Sequence, residues 1–152
     1  MAPRWQWASF EELSVADLYL LLRLRQEVFV LEQACIYLDV DGWDPGAFHL
    51  LGWSTEMKPT LDLYARVFAP GVKYPEASIG RIITHPRVRG SGLGRTLVRE
   101  GICRVEEAWG SVPIRIAAQA RLERFYEEFG FRRASPPFDE DGILHLEMLR
   151  ES

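Results

Sequence analysis

The stretch Arg89-Gly90-Ser91-Gly92-Leu93-Gly94 sets three glycines at alternate positions, and its flanks limit what the chain can build around it. It follows an apolar, β-branched run ending at Thr84. It opens straight into Arg95 to Trp109, where Leu93, Leu97, Val98, Ile102, Val105 and Trp109 recur at helical spacing. The order is strand, glycine turn, helix. Alternate glycines let the backbone turn sharply and approach a ligand closely, while the free N–H groups and positive dipole end of a starting helix attract phosphate. A tight strand-to-helix turn with no ligand is the plainer alternative.

Spacing separates this turn from the two common nucleotide motifs. The dinucleotide fingerprint needs G-x-G-x-x-G, and the P-loop needs Lys-Ser/Thr after its last glycine, whereas Arg95-Thr96 follows here. The pattern R-G-x-G-x-G between a strand and an amphipathic helix resembles the acyl-CoA motif of the GCN5-related N-acetyltransferases (GNAT). A second phrase, Phe125-Tyr126-Glu127-Glu128-Phe129-Gly130-Phe131, resembles that family's Y-x-x-x-G-F signature. Arg25 to Val30 followed by Glu32-Gln33, then Tyr37 to Asp41 and Asp44, with D-G-I-x-H-x-x-M near the end, resemble the ElaA-type branch. The resemblance runs from about Trp5 to Met148.

The resemblance implies one acetyltransferase domain over residues 1–152. It also implies a mixed α/β fold: a mostly antiparallel sheet of about six to seven strands, splayed at the cofactor site and flanked by about four helices. Acetyl-CoA is the implied cofactor. Its pyrophosphate would lie on Arg89, Gly90, Ser91, Gly92, Leu93, Gly94, Arg95 and Thr96, and its pantetheine arm on the bulged strand at Ile82, Ile83 and Thr84. Gln119 stands where the family often has an Asn touching that arm. Arg25, Phe29, Glu32, Gln33, Asp41 and His145 fall on the acceptor side.

Composition excludes several other classes. With 152 residues, 47% of them hydrophobic, the chain can bury a core as one domain. No run approaches the ~20 apolar residues of a membrane span, and Met1-Ala2-Pro3-Arg4-Trp5 lacks a signal peptide's apolar core, so a cytoplasmic location is expected. Cys35 and Cys103 lack disulfide or zinc spacing. A net charge of −4 argues against a nucleic-acid partner. Asp39, Asp41 and Asp44 lack the EF-hand pattern and its final glutamate, so no metal is expected.

Taken in order, Arg4 to Trp7 reads as a short strand, and Ser14 caps a helix striped by Leu18, Leu21, Leu22, Val28 and Phe29. Arg25 interrupts that stripe, so it faces a cavity or an ion-pair partner such as Glu32. Residues 32–46 read as a structured loop, Phe48 to Trp53 and Leu61 to Phe68 as strands, and Ser78 to Thr84 as the strand before the turn. Pro113 to Ala118 is a further strand and Arg121 to Phe129 a short helix stopped by Gly130. Asp139 to Gly142 reads as an acidic turn into a final strand, Ile143 to Leu149.

Acyl transfer to an amine requires an acid for the departing thiolate, a base for the amine and donors for the developing oxyanion. Tyr126 is the candidate acid, or else an amphipathic core tyrosine. The strand before the turn reads Ile79-Gly80-Arg81-Ile82-Ile83 and carries no acid, which leaves His145, Glu32 or a water chain as base. His145 equally suits a structural pair with Glu147. A backbone N–H of Ile82 or Ile83 is the candidate oxyanion donor. The expected reaction is transfer to a primary amine of a small molecule or peptide. A CoA-binding regulatory module without catalysis stands as the alternative, and exposed tryptophans with a free sheet edge leave a homodimer open.

Overall fold

The computed structural model describes residues 2–152, and its elements follow the periodicities of the sequence closely. Strand β1 (Arg4–Ser9) leads to helix α1 (Val15–Arg25). Ser14 caps α1, its side chain accepting the N–H of Asp17 at 3.0 Å and so satisfying one donor of the first turn. Beyond Arg25 the backbone widens into a π-helical segment, Gln26–Glu32, with Gln33 N bonded to Val28 O and Cys35 N to Val30 O. Such widened turns recur at functional sites. This one delivers Phe29, Glu32 and Gln33 to the central cleft.

Strands β2 (Phe48–Trp53), β3 (Leu61–Phe68) and β4 (Ala77–Thr84) form an antiparallel meander with β1. Helix α2 (Leu93–Trp109) crosses to β5 (Ile114–Gln119), which runs parallel to β4. A short 3₁₀ turn and helix α3 (Glu123–Glu127) precede β6 (Phe131–Arg133), β7 (Phe138–Glu140) and β8 (Ile143–Arg150). The sheet order is β1-β2-β3-β4-β5-β8-β6, with β7 also paired to β8.

Eight strands and three α-helices thus realise the expected mixed α/β fold. The extra strand comes from Asp139 and Glu140, which join β7 instead of a turn. The turn itself needs only Asp141 and Gly142, whose φ values of 53° and 82° give the two-residue geometry that matches strand twist.

Each sheet face buries its own core. One face, carrying Leu50, Leu63, Ala65, Val67, Ile79, Ile114, Ile116 and Met148, packs on Leu97, Val98, Ile102 and Val105 of α2. The other, with Leu51, Trp53, Tyr64 and Ile83, packs on Leu21, Leu24 and Val28. Most tryptophans expected at the surface are packed: Trp7 stacks on Phe48 at 5.1 Å, Trp109 closes the same aromatic cluster, and Trp53 is buried. No helix of the structure is long and apolar enough to cross a membrane. Cys35 and Cys103 are free thiols.

Candidate active site

The two central strands share only two registered pairs, Ala77 with Ile114 and Ser78 with Arg115, and then part. The cause is local. Between Tyr64 (opposite Ile83) and Arg66 (opposite Gly80) the β3–β4 register slips by one residue, so Arg81 and Ile82 bulge, and Arg81 takes a φ of 51°. A bulge bends its strand, and a non-glycine residue in that conformation persists only where its surroundings hold it. Along the resulting slot a cleft of about 880 Å³ opens. Its walls draw residues from both sheet faces: Leu122, Phe125 and Tyr126 on the α2/α3 side, and Arg66, Phe68, Lys73 and His145 on the other. The cleft therefore passes through the sheet.

The glycine turn lies at the mouth of this slot. Gly90 and Gly92 adopt φ values of 80° and 84°, which cost little only for glycine, and Gly92 caps α2. Among the described residues, no protein acceptor takes the amides from Gly90 to Arg95; the first amide to turn inward is that of Thr96, bonded to Gly92 O at 3.3 Å. Six adjacent donors at a helix start, with no acidic side chain in the first turn, suit an anion. Gly90 and Gly94 line the cleft itself, whereas Ser91, Gly92, Leu93, Arg95 and Thr96 form the outer rim. Two rim side chains are otherwise engaged: Ser91 donates to Val88 O, and Arg95 pairs with Glu128 at 3.0 Å.

Arg89 anchors the turn. Its Nε donates to Thr84 O at 2.9 Å, and its two terminal nitrogens clamp both oxygens of Glu32. This fork holds the Glu32 carboxyl below the usual carboxylate range. Both Glu32 oxygens are thus engaged and its basicity is reduced, so in this structure it anchors the glycine turn. It also does not pair with Arg25.

On the donor side, Tyr126 is buried against Phe125 and Phe131, with edge-to-face rings at 5.2 and 6.1 Å. Its hydroxyl has no hydrogen-bond partner among the described residues and lines the cleft. Burial pushes this phenol up to about 12, against a small opposing pull from Arg121, so it keeps its proton near neutrality. Gln119, at the end of β5, also lines the cleft and donates to Gln33 at 3.3 Å, linking the two walls. Ile82, Ile83 and Thr84 line the β4 wall.

The other half of the cleft rests on a chain of six charges. Arg25, fully buried, donates to Asp39 Oδ2 at 2.8 Å, Asp44 Oδ1 at 2.6 Å and Asp39 O at 2.8 Å. Arg66 bonds Asp41 at 2.8 and 2.9 Å and Asp44 at 2.9 Å, and Arg81 bonds Asp39 Oδ1 at 2.8 Å. Three arginines and three aspartates thus alternate, bolting the loop 33–47 to the strand bulge. Arg25 is accordingly corrected from acceptor contact to buried pillar: it does not line the cleft, and its guanidinium is consumed by Asp39 and Asp44. Asp41 does line it, yet its oxygens serve Arg66 and Arg81, and its carboxyl is held far below the ordinary range by them, against its own desolvation.

Two participants, Arg66 and Arg81, escaped the sequence reading. The signal was present, since each is the lone cation of a largely buried strand.

His145 faces the cleft across from Gln119. Its Nδ1 lies 2.8 Å from the Ile143 carbonyl, which can only accept, so Nδ1 is the donor in this contact and the tautomer with a free Nε2 is the neutral form it favours. Glu140 Oε2 stands 3.5 Å from Nε2. The expected pair with Glu147 does not form; Glu147 bonds Arg115 at 2.8 Å. Phe29 lines the same half, its ring beneath the Arg81 guanidinium at 5.8 Å.

A splayed sheet, a bulged strand and an anion-binding glycine turn have clear counterparts among known proteins. Residues 70–152 match the family model described as an acetyltransferase (GNAT) domain. Protein ElaA of Escherichia coli is 39% identical over 149 residues, covering 97% of this chain and 95% of its own. The crystal structure of Escherichia coli ElaA superposes with a TM-score of 0.89 at 38% identity, covering 98% of this chain and 99% of that one. An acyl-CoA N-acyltransferase from Pseudomonas aeruginosa superposes with a TM-score of 0.92 at 34% identity, over 98% and 99% of the two chains. By sequence and by architecture, this chain belongs to the GCN5-related N-acetyltransferase family, in its ElaA-type branch.

Proposed function

We propose that the protein transfers the acetyl group of acetyl-CoA to a primary amine of a small molecule or peptide, by direct attack with both substrates bound. The supporting observation is the cleft that passes through the sheet, with unpaired amides for an anion at one end and a polar, titratable pocket at the other. Acetyl-CoA supplies an activated thioester carbonyl. On the chain's side, the amides from Gly90 to Arg95 hold the pyrophosphate, and Ile82, Ile83, Thr84 and Gln119 hold the extended arm in the slot.

His145 Nε2 takes the proton of the incoming ammonium, and Glu140 stabilises the imidazolium that results. The backbone N–H of Ile82 or Ile83 is the donor to an oxygen gaining negative charge, and it needs no side chain. Tyr126, kept protonated by burial, is the acid on the slot wall. Phe29 and Gln33 shape the acceptor pocket, and Asp41 with its arginines sets its floor.

The CoA-binding regulatory module is the second reading, favoured by the engagement of Glu32 with Arg89 and by a β4 strand without a carboxylate. Purified protein is mixed with acetyl-CoA and a panel of amines (amino acids, polyamines, aminoglycosides, peptide N-termini), and free thiol is followed. Amine-dependent thiol release that falls about a hundredfold in Tyr126→Phe supports the enzyme. Binding of CoA with no release above the buffer rate supports the module.

A further inference from the structure

Lys73, in the loop joining β3 to β4, lines the acceptor half of the cleft and has no part in the chemistry above. Its Nζ stands 5.7 Å from the Trp43 ring, 5.6 Å from that of Phe68 and 6.0 Å from that of Tyr74. No carboxylate forms an ion pair with it among the described residues; Asp41 and Glu140 act only from farther away. Desolvation first, then repulsion from Arg66 and Arg81, hold this ammonium below the usual lysine range. A larger fraction of neutral amine makes a better nucleophile.

Lys73 and the strand bulge line the same cleft. Phe68 registers with Ser78, and Arg66 with Gly80, so these four positions share one sheet face. A side chain begun at Gly80 would meet nothing within 4 Å. The chain has one other lysine, Lys58, exposed in the turn joining β2 to β3, at the opposite end of the meander.

We propose that Lys73 is a self-acetylation site, modified within its own molecule by the thioester bound in the slot. The inference rests on the acetyl-transfer reading. The Lys73 ammonium first gives up a proton, and its Nζ lone pair then forms a bond to the thioester carbonyl carbon. The carbon–sulfur bond breaks and its electron pair leaves on sulfur, which takes up a proton. The products are N-acetyl-lysine and free CoA thiol, with one proton released to water and no oxidant or reductant involved. The modification removes a cleft cation that forms no ion pair with a carboxylate among the described residues.

The full chain is incubated with acetyl-CoA and no added amine, digested, and its lysine peptides are weighed. Lys73 should gain one acetyl group at least about tenfold faster than Lys58, which lies outside the cleft, because a held nucleophile reacts at high effective concentration. The rate per molecule should not change with protein concentration. Lys73→Arg should abolish the label while thiol release with added amines persists.

Equal labelling of the two lysines, or a per-molecule rate that grows with protein concentration, overturns the proposal. So does an unlabelled Lys73 in protein that acetylates added amines; in that case the enzymatic reading survives. Failure of every amine, Lys73 included, sinks both. Trace labelling with acetic anhydride across pH needs no CoA: Lys73 should titrate below the usual lysine range, and titration within or above that range refutes the nucleophile argument.

Discussion

Replacing Arg25 with leucine tests whether the acceptor side is built on buried charge. The guanidinium makes three hydrogen bonds, to Asp39 Oδ2, Asp39 O and Asp44 Oδ1, and has no exposed surface. Leucine leaves two carboxylates short of a partner inside the protein. Breaking a buried pair from one side costs about 3–5 kcal/mol, since the remaining charge is desolvated without compensation. The lower end applies here, because Arg81 and Tyr37 still bond Asp39 Oδ1 and Arg66 still bonds Asp44 Oδ1.

A loss of about 3 kcal/mol in a domain of this size lowers Tm by roughly 6–12 °C. It should appear in urea melts as a lower midpoint at unchanged slope. The pH dependence has a definite sign. Although desolvation pulls the other way, hydrogen bonds and charge from Arg25 and Arg66 hold the Asp44 carboxyl below its unfolded range. Its stabilisation is therefore present above the unfolded carboxylate range and lost as pH falls through the lower folded value. The gap between wild type and Arg25→Leu should narrow on acidification below about pH 4. An Arg25→Leu protein that melts within about 1 kcal/mol of wild type at pH 7 would refute the pillar. A normally stable variant that had lost amine binding alone would restore Arg25 as an acceptor contact.

Gly92→Glu adds a side chain at a φ of 84° and a negative charge beside six unpaired amides, so CoA affinity should fall at least about tenfold at low salt and partly recover at high salt; unchanged affinity by calorimetry in a folded mutant would remove the cradle. The His145→Ala enzyme should lose the acidic limb of kcat/KM against pH, because only the deprotonated imidazole can accept the amine proton, and a retained limb would exclude His145 as base. Ser14→Ala should cost about 1 kcal/mol, measured by urea melts, through the lost cap to Asp17 N, with no change in KM.

Local signals carried much of this structure. Alternate glycines between an apolar strand and an amphipathic helix announced the glycine turn, and Gly130, at a φ of 92°, lies in the turn that follows α3. Resemblance pointed to the splay, and the geometry at Ala77 and Ser78 locates it. What stayed hidden depends on partners distant in sequence. Asp39 meets Arg25 across 14 residues and Arg81 across 42, and nothing local distinguishes Asp39 from a solvated loop aspartate. For the same reason the sequence offers Glu147, the period-two neighbour of His145, as its candidate partner, whereas the hairpin at Asp141-Gly142 brings Glu140 to it. The π-helical segment has no compositional signature.

The two registered pairs between β4 and β5 also divide the molecule mechanically. Strands β1 to β4 form one plate and β5 to β8 another, hinged at Ala77 and Ser78 and spanned by α2. Past the hinge, each plate presents an inner edge of backbone donors and acceptors to the slot. On the proposed function, an extended arm seated there would bond along those edges and weld the plates together. Ligand binding should therefore slow hydrogen exchange on both sides of the slot, far from the cradle, as a stiffening of the whole sheet.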